Sequence, residues 1–185
     1  MLDKVVTFLQ KQLNNQLKGD SVQDRVVLAK LGKDCVHLAL EAVTVILVGI
    51  EPDHISRSAD PYRGSATTGG SGPVYPEIRL NLYLFLAAQF ESYENALHHL
   101  SVIIRYFQHN PVLTHENAPM MHADIDRLSV ELQEMPFSQH NDIWNTLKVA
   151  AVPSLLYRVR TVVFEQQPSA LTPAIVETEE GTTPR

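Results

Sequence analysis

The stretch IRLNLYLFLAAQFESYENALHHLSVIIRYF, residues 78–107, decides the predicted fold because its hydrophobic period changes once along its length. Apolar side chains occupy every second position from residue 78 to residue 88, the pattern of a β-strand with one buried face. The opposite face begins polar and becomes aromatic, so we expect the strand to start exposed and to end covered. From Ser92, a residue type that caps helices, apolar residues recur every three or four positions. The stretch therefore predicts a strand and then a helix that folds back across the sheet.

The helix after Ser92 is predicted to end at Asn110, because Pro111 disfavours a helical conformation in the residue before it. One stripe of this helix is apolar and is expected to face the core. The residues of this stripe are Tyr93, Ala96, Leu97, Leu100, Ile103, Ile104 and Phe107.

Helical and extended patterns also precede this strand–helix pair. Residues 2–18 place leucines and valines on one stripe at helical spacing, which predicts an amphipathic N-terminal helix. Residues 25–31 predict a strand, whereas residues 36–40 fit neither pattern clearly. Residues 42–50, AVTVILVGI, are apolar on both faces, as expected of a central strand that is covered on both sides.

The second half of the chain continues the mixture of strands and helices. Residues 111–123 predict a loop, residues 127–133 alternate as a strand, and residues 138–148 predict a short helix with Trp144 on its apolar side. A last strand begins after Pro153. The order of elements predicts an α+β fold, with a mostly antiparallel sheet and flanking helices in a single domain.

This domain is expected to span residues 1–167, and two segments differ from it in composition. Residues 55–76 are rich in Gly, Ser, Thr and Pro and predict a long flexible loop, either mobile or ordered by a partner. Residues 168–185, PSALTPAIVETEEGTTPR, are acidic and aperiodic and predict a disordered C-terminal tail.

Composition restricts the class of function. The chain has 185 residues, 44% of them apolar, which is enough to bury one core. Its net charge of −6 argues against nucleic acid as a partner. The single cysteine, Cys35, excludes an intramolecular disulfide and fits a reducing compartment. The N-terminus lacks a secretory signal and the longest apolar run is too short for a bilayer, so we expect a cytosolic product with no membrane partner.

No sequence motif predicts an active site, a cofactor or a metal site. Cys35 and His37 lack a second pair of ligands at structural-zinc spacing, and His98 and His99 diverge by about 100° around a helix. The Gly-rich loop lacks the Lys-Ser/Thr ending of a phosphate-binding loop, and GxSxG is absent from the sequence. We therefore expect a protein that is not an enzyme.

His109, His115 and His122 leave one enzymatic alternative open, a small His-dependent metal-binding hydrolase. Arg158 and Arg160 lead to a different expectation, because they share one face of the last predicted strand. Two arginines placed in this way either pair with carboxylates of a partner or form a solvated surface.

Four short motifs, in this order, resemble one known family. They are Asn81-Leu82-Tyr83, Phe107-Gln108 with Pro111-Val112, Asn141 with Trp144, and Pro153-Ser154 leading to Tyr157-Arg158. Over residues 1–165 the chain resembles the cap, or tail-terminator, proteins of extracellular contractile injection systems, the phage-tail-like particles of antifeeding-prophage and virulence-cassette type. Within these motifs the residues expected mostly in the core are Asn81, Tyr83, Phe107, Gln108, Pro111, Trp144, Pro153 and Tyr157.

The resemblance implies a structural subunit that forms a homohexameric ring at the particle end opposite the baseplate. Such a ring would bind the inner tube protein and the sheath protein, end polymerisation and stabilise the extended sheath, and a repeated head-to-tail contact would close it. Assembly would take place in the cytoplasm before the particle becomes extracellular. Arg158, Arg160, Tyr62 and Arg63 are the candidate interface residues, and an exposed strand edge could accept an arm of a sheath subunit. The alternative within the same particle is an adaptor at the baseplate end.

Overall fold

The computed structural model describes residues 2–17, 25–53, 79–123 and 125–162, which contain three helices and eight strands. The helices are α1 (Leu2–Leu17), α2 (Tyr93–His109) and α3 (Phe137–Leu147). The strands are β1 (Val26–Leu28), β2 (Lys30–Leu31), β3 (Val36–His37), β4 (Ala42–Pro52), β5 (Leu80–Gln89), β6 (Val112–Thr114), β7 (Arg127–Leu132) and β8 (Ser154–Val162). The predicted α+β class is confirmed.

Six of these strands form one sheet in the order β1-β4-β5-β8-β7-β6. Every neighbouring pair is antiparallel except β1 and β4, which are parallel. The short strands β2 and β3 form a separate antiparallel pair. Because β8 lies between β5 and β7, the last described strand occupies an interior position in the sheet.

One face of the sheet, the core face, is covered by α1 and α2. The strand that was predicted from the alternation in residues 78–88 is confirmed as β5, and Leu82, Leu84 and Leu86 project into this core. The side-chain oxygen of Ser92 accepts a hydrogen bond from the Asn95 N–H at 3.4 Å, so the predicted N-cap is also confirmed.

The apolar stripe predicted for α2 is too wide. Ala96, Leu100 and Ile103 are buried against the core, but Tyr93 is 67% exposed and Leu97 is 43% exposed. Only the narrower stripe contacts the sheet, and the first turn of the helix therefore presents apolar side chains to solvent.

The opposite face of the sheet is covered by α3 over only part of its area. Trp144 packs edge-on against Phe85 with 5.2 Å between ring centroids, and Ile46, Ala87 and Leu147 complete this smaller core. Along β5 the side chains on this face change from half-buried to fully buried. The predicted increase in cover along this strand is thus confirmed, but the strand starts half-buried and not exposed.

Three local predictions were wrong. Residues 25–31 form two short strands, β1 and β2, in place of one. The strand β4 is covered on both sides only in its first half. Its pairing with β5 shifts register between Leu47 and Gly49, and from this point the side chains of Val48 and Ile50 are 37% and 47% exposed. The predicted loop of residues 111–123 contains β6.

Several expectations concern residues that lie outside the described ranges. These residues are the loop 55–76 with Tyr62 and Arg63, and the tail 168–185. Within the described ranges, none of the helices combines the length and the apolar character that crossing a membrane requires.

Candidate interaction surface

The part of the sheet that α3 leaves uncovered carries neighbouring polar side chains. Strand register places Tyr83, Arg158 and Glu131 side by side on β5, β8 and β7. Arg160 lies two residues further along β8, and Glu51 lies on β4 opposite Asn81. We call Glu51, Tyr83, Glu131, Arg158 and Arg160 the polar surface.

The strongest contact on the polar surface joins Arg158 to Glu131. Arg158 Nη2 donates to Glu131 Oε2 at 2.6 Å, and Arg160 Nη2 lies 3.8 Å from the same oxygen. The hydrogen bond from Arg158 lowers the pKa of Glu131, and the same bond raises the pKa of Arg158. The Glu131 side chain is 55% exposed, so the pair stabilises the fold by only about 0.2–1 kcal/mol. Arg158 is hydrogen-bonded to this carboxylate, whereas Arg160 lies only within ion-pair distance of it.

Tyr83 lies beside Gly49 of β4 in the register. A Cβ atom on Gly49 would lie 3.4 Å from the Tyr83 ring, which is ordinary van der Waals contact, so the two residues pack closely. The Tyr83 hydroxyl donates to Glu51 Oε2 at 2.9 Å. The hydrogen bond to this carboxylate raises the pKa of Tyr83.

Two buried atoms, one in the polar surface and one next to it, have no hydrogen-bond partner among the described residues. They are Asn81 Oδ1, an acceptor, and Arg158 Nε, a donor. Buried polar atoms are nearly always paired in folded proteins, so both atoms fit the position of an ordered water or of a polar group from a partner.

The structure brings together two of the predicted interface residues. Arg158 and Arg160 lie on the same face of β8, as the alternation predicted, and both lie beside Glu131 of the same chain. Their contact with Glu131 could not be predicted from local sequence, because α3 separates the strands β7 and β8 along the chain.

The residues of the family motifs occupy different environments. Phe107, Trp144 and Tyr157 are buried, and burial raises the pKa of Tyr157 to about 12. The rings of Phe107 and Tyr157 pack with 4.9 Å between their centroids. The other motif residues that were expected mostly in the core are half-buried (Asn81, Tyr83 and Pro153) or exposed (Gln108 and Pro111).

The outer edge of β1 is bonded by a side chain of α1. Because Arg25 and Ala29 bond to β4, the backbone groups of Val26 between them point away from the sheet. The Val26 N–H donates to Asn14 Oδ1 at 2.7 Å, and Asn14 Nδ2 donates to the Val26 carbonyl at 2.7 Å. Asn14 thus takes the place of a neighbouring strand at this residue.

The edge formed by β6 is bonded in the same way. Thr114 N–H donates to Asn117 Oδ1 at 2.8 Å, and Asn117 Nδ2 donates to the Val112 carbonyl at 2.8 Å. The Thr114 carbonyl accepts from the N–H of Ala118 at 2.9 Å. An arm that added a strand at either edge would therefore have to displace an asparagine side chain at these residues, which disfavours the edge-addition hypothesis there.

The histidines do not form a metal site among the described residues. His109 Nδ1 lies 2.7 Å from the Arg105 carbonyl within its own helix. No group of three or more His, Cys, Asp or Glu side chains in residues 2–17, 25–53, 79–123 and 125–162 is arranged to hold a metal ion.

Comparison with known proteins relates this fold to one kind of particle. A search of curated proteins by sequence finds no match. The chain is similar to a solved cryo-EM structure described as the PVC sheath/tube terminator of an extracellular contractile injection system in the extended state. The TM-score is 0.55 at 16% sequence identity, over 99% of this chain and 64% of that chain. This chain thus spans less than two thirds of the length of that terminator, and the likeness concerns the fold.

Family comparison matches residues 4–178 to the Pvc16 N-terminal domain. The match covers almost the whole chain, including α1, the sheet, α2 and α3. The chain therefore belongs to the Pvc16 N-terminal domain family, which confirms the resemblance to the cap proteins of extracellular contractile injection systems.

Proposed function

We propose that this chain is a cap, or tail-terminator, subunit of an extracellular contractile injection system. The observation that carries the proposal is the likeness of 99% of the chain to a solved sheath/tube terminator. The protein would act by binding other subunits, without catalysis, cofactor or metal. It would assemble in the cytoplasm and leave the cell as part of the particle.

In this role, copies of the chain form a homohexameric ring on the last ring of the inner tube and contact the end of the sheath. The ring ends polymerisation and holds the sheath extended. A terminator must bind the tube end on one side without offering a template for further growth on the other. The hydrogen bonds of Asn14 and Asn117 support this requirement, because they occupy outward-facing backbone groups of both edge strands.

The polar surface supports a contact with tube or sheath subunits. It combines two arginines with two carboxylates on a rigid sheet, and charge patterns of this kind select partners and fix their orientation. Arg160 is its most available cation, since its side chain is 42% exposed and lies 3.8 Å from Glu131. Tyr62 and Arg63 remain proposed contact residues on the basis of composition alone.

The test is the length distribution of tubes in particles from cells that lack this protein, measured by negative-stain electron microscopy. Overlong, ragged or sheathless tubes are expected, and the wild-type protein should restore a uniform length. Particles of normal, uniform length in its absence would contradict termination. Gold labelling of a tagged chain should mark the end opposite the baseplate, whereas label at the baseplate end would instead support an adaptor.

A further inference from the structure

Phe137, the first residue of α3, is 94% exposed. It is the most exposed of the large apolar side chains in the described residues. An isolated aromatic ring that projects from the start of a helix gains little from its own fold, but it can act as an anchor in a protein–protein contact.

The other end of α3 borders an open cavity of about 270 Å³. Its walls are mostly apolar and include Val36 from β3, Leu38 just after β3, and Val149 and Val152 from the segment after α3. An apolar cavity of roughly 150 Å³ is enough to hold a benzene molecule, so this cavity has room for one phenylalanine ring. Cys35, the only cysteine of the chain, also lines it.

The exposed ring and the cavity lie on the same face of the sheet, at opposite ends of α3, because α3 runs across the strands from β8 to β4. His140 lies beside Ser154 at the start of β8, Trp144 packs on Phe85 of β5, and Leu147 shares a cluster with Ile46 of β4. Eleven helical residues span about 16 Å, so Phe137 cannot reach the cavity of its own chain.

We propose that Phe137 of one copy inserts into this cavity of the next copy and that this contact joins neighbouring subunits of the ring. The inference rests on the ring of the proposed function. The two complementary features lie at opposite ends of α3, one beyond β8 and the other beyond β4, and features toward different edges of one chain are what a head-to-tail contact requires. Asn14 and Asn117 occupy backbone groups at the two sheet edges, so side chains rather than strand pairing would join the copies.

The position of Cys35 provides a direct test by disulfide cross-linking. In Phe137→Cys, the new thiol of one copy would lie at the cavity that Cys35 of the next copy lines. A disulfide between the two requires that their Cα atoms come within about 7 Å, so cross-linking reports this close approach. Mild oxidation of purified particles, in which the tube end would still hold neighbouring copies in place without the Phe137 ring, should give a ladder of cross-linked species up to the hexamer on non-reducing gels. Phe137 is exposed, so the substitution leaves the fold intact.

Two variants control for unspecific oxidation. The double variant Phe137→Cys with Cys35→Ser should give no ladder, and Tyr93→Cys, which places a thiol at another exposed aromatic position, should give none with Cys35. Dimers that persist without Cys35, or the absence of a ladder in particles with tubes of normal length, would overturn the contact. The second result would leave termination standing, whereas failure of the tube-length experiment removes termination whatever the cross-links show.

Discussion

The two faces of the sheet are made by the same strands, yet helices cover them to different extents. The core face is closed under α1 and α2, and its side chains on β5 are buried from Leu82 to Ala88. On the opposite face, α3 covers one part and leaves the polar surface open on the other. The difference indicates that α1 and α2 close one face completely, while the partial cover by α3 divides the other face into a packed region and a polar region open to solvent.

The largest expected effect lies under α3. Phe85→Ala should lower the free energy of unfolding by about 3–5 kcal/mol, because Phe85 is fully buried and the Trp144 ring would lose its neighbour. Urea unfolding followed by circular dichroism measures the change. Leu82→Ala on the core face should cost a similar amount, about 2–5 kcal/mol. A cost below about 1 kcal/mol for Phe85→Ala would mean that α3 is not packed on the sheet.

A smaller effect is expected at the edge of the sheet. Asn14→Ala should cost about 1–3 kcal/mol, because it leaves the buried Val26 N–H without its partner, while Gln10 Nε2 still donates to the Val26 carbonyl. Asn15→Ala is the matched control, since Asn15 is exposed and its removal should change the free energy of unfolding by less than about 0.5 kcal/mol. Equal effects of both substitutions in the same urea assay would show that the Asn14 bonds do not stabilise the edge.

The smallest effect is expected on the polar surface. Glu131→Gln should cost less than about 1 kcal/mol at pH 7, because the Arg158–Glu131 pair is exposed to solvent. The pKa of Glu131 is lowered in the folded state, so the pair stabilises the protein above the unfolded pKa of about 4.3 and loses this effect as the pH falls through the folded pKa. The difference between wild type and variant should thus vanish at low pH. A difference that persists below the folded pKa would have another origin than this ion pair.

Local pattern was sufficient to predict most of the fold. The alternation of residues 78–88 and the cap at Ser92 gave the correct strand and helix. The strand β6 was missed because it is only three residues long and lies in a segment rich in Pro, His and Asn. Its pairing depends on β7, which a reading of local periodicity cannot supply.

The candidate surface was predicted only in part. Alternation along β8 placed Arg158 and Arg160 on one face, but their contact with Glu131 depends on the order of strands in the sheet. The hydrogen bonds of Asn14 and Asn117 to the strand edges could not be predicted, because the sequence around such an asparagine does not differ from that around a solvent-exposed one. The cavity beside Cys35 could not be predicted either, because three separate segments of the chain form it.

The interior position of β8 determines when the chain can fold during its synthesis. Its partner β5 is made far earlier, and Thr161 bonds a residue 81 positions before it. Until residues 154–162 have been translated, β5 and β7 each lack a neighbour, and Arg158 and Arg160 do not yet exist. A nascent chain therefore offers neither a complete sheet nor its polar surface until residue 162 has been made, so the order of translation itself sets when both can form.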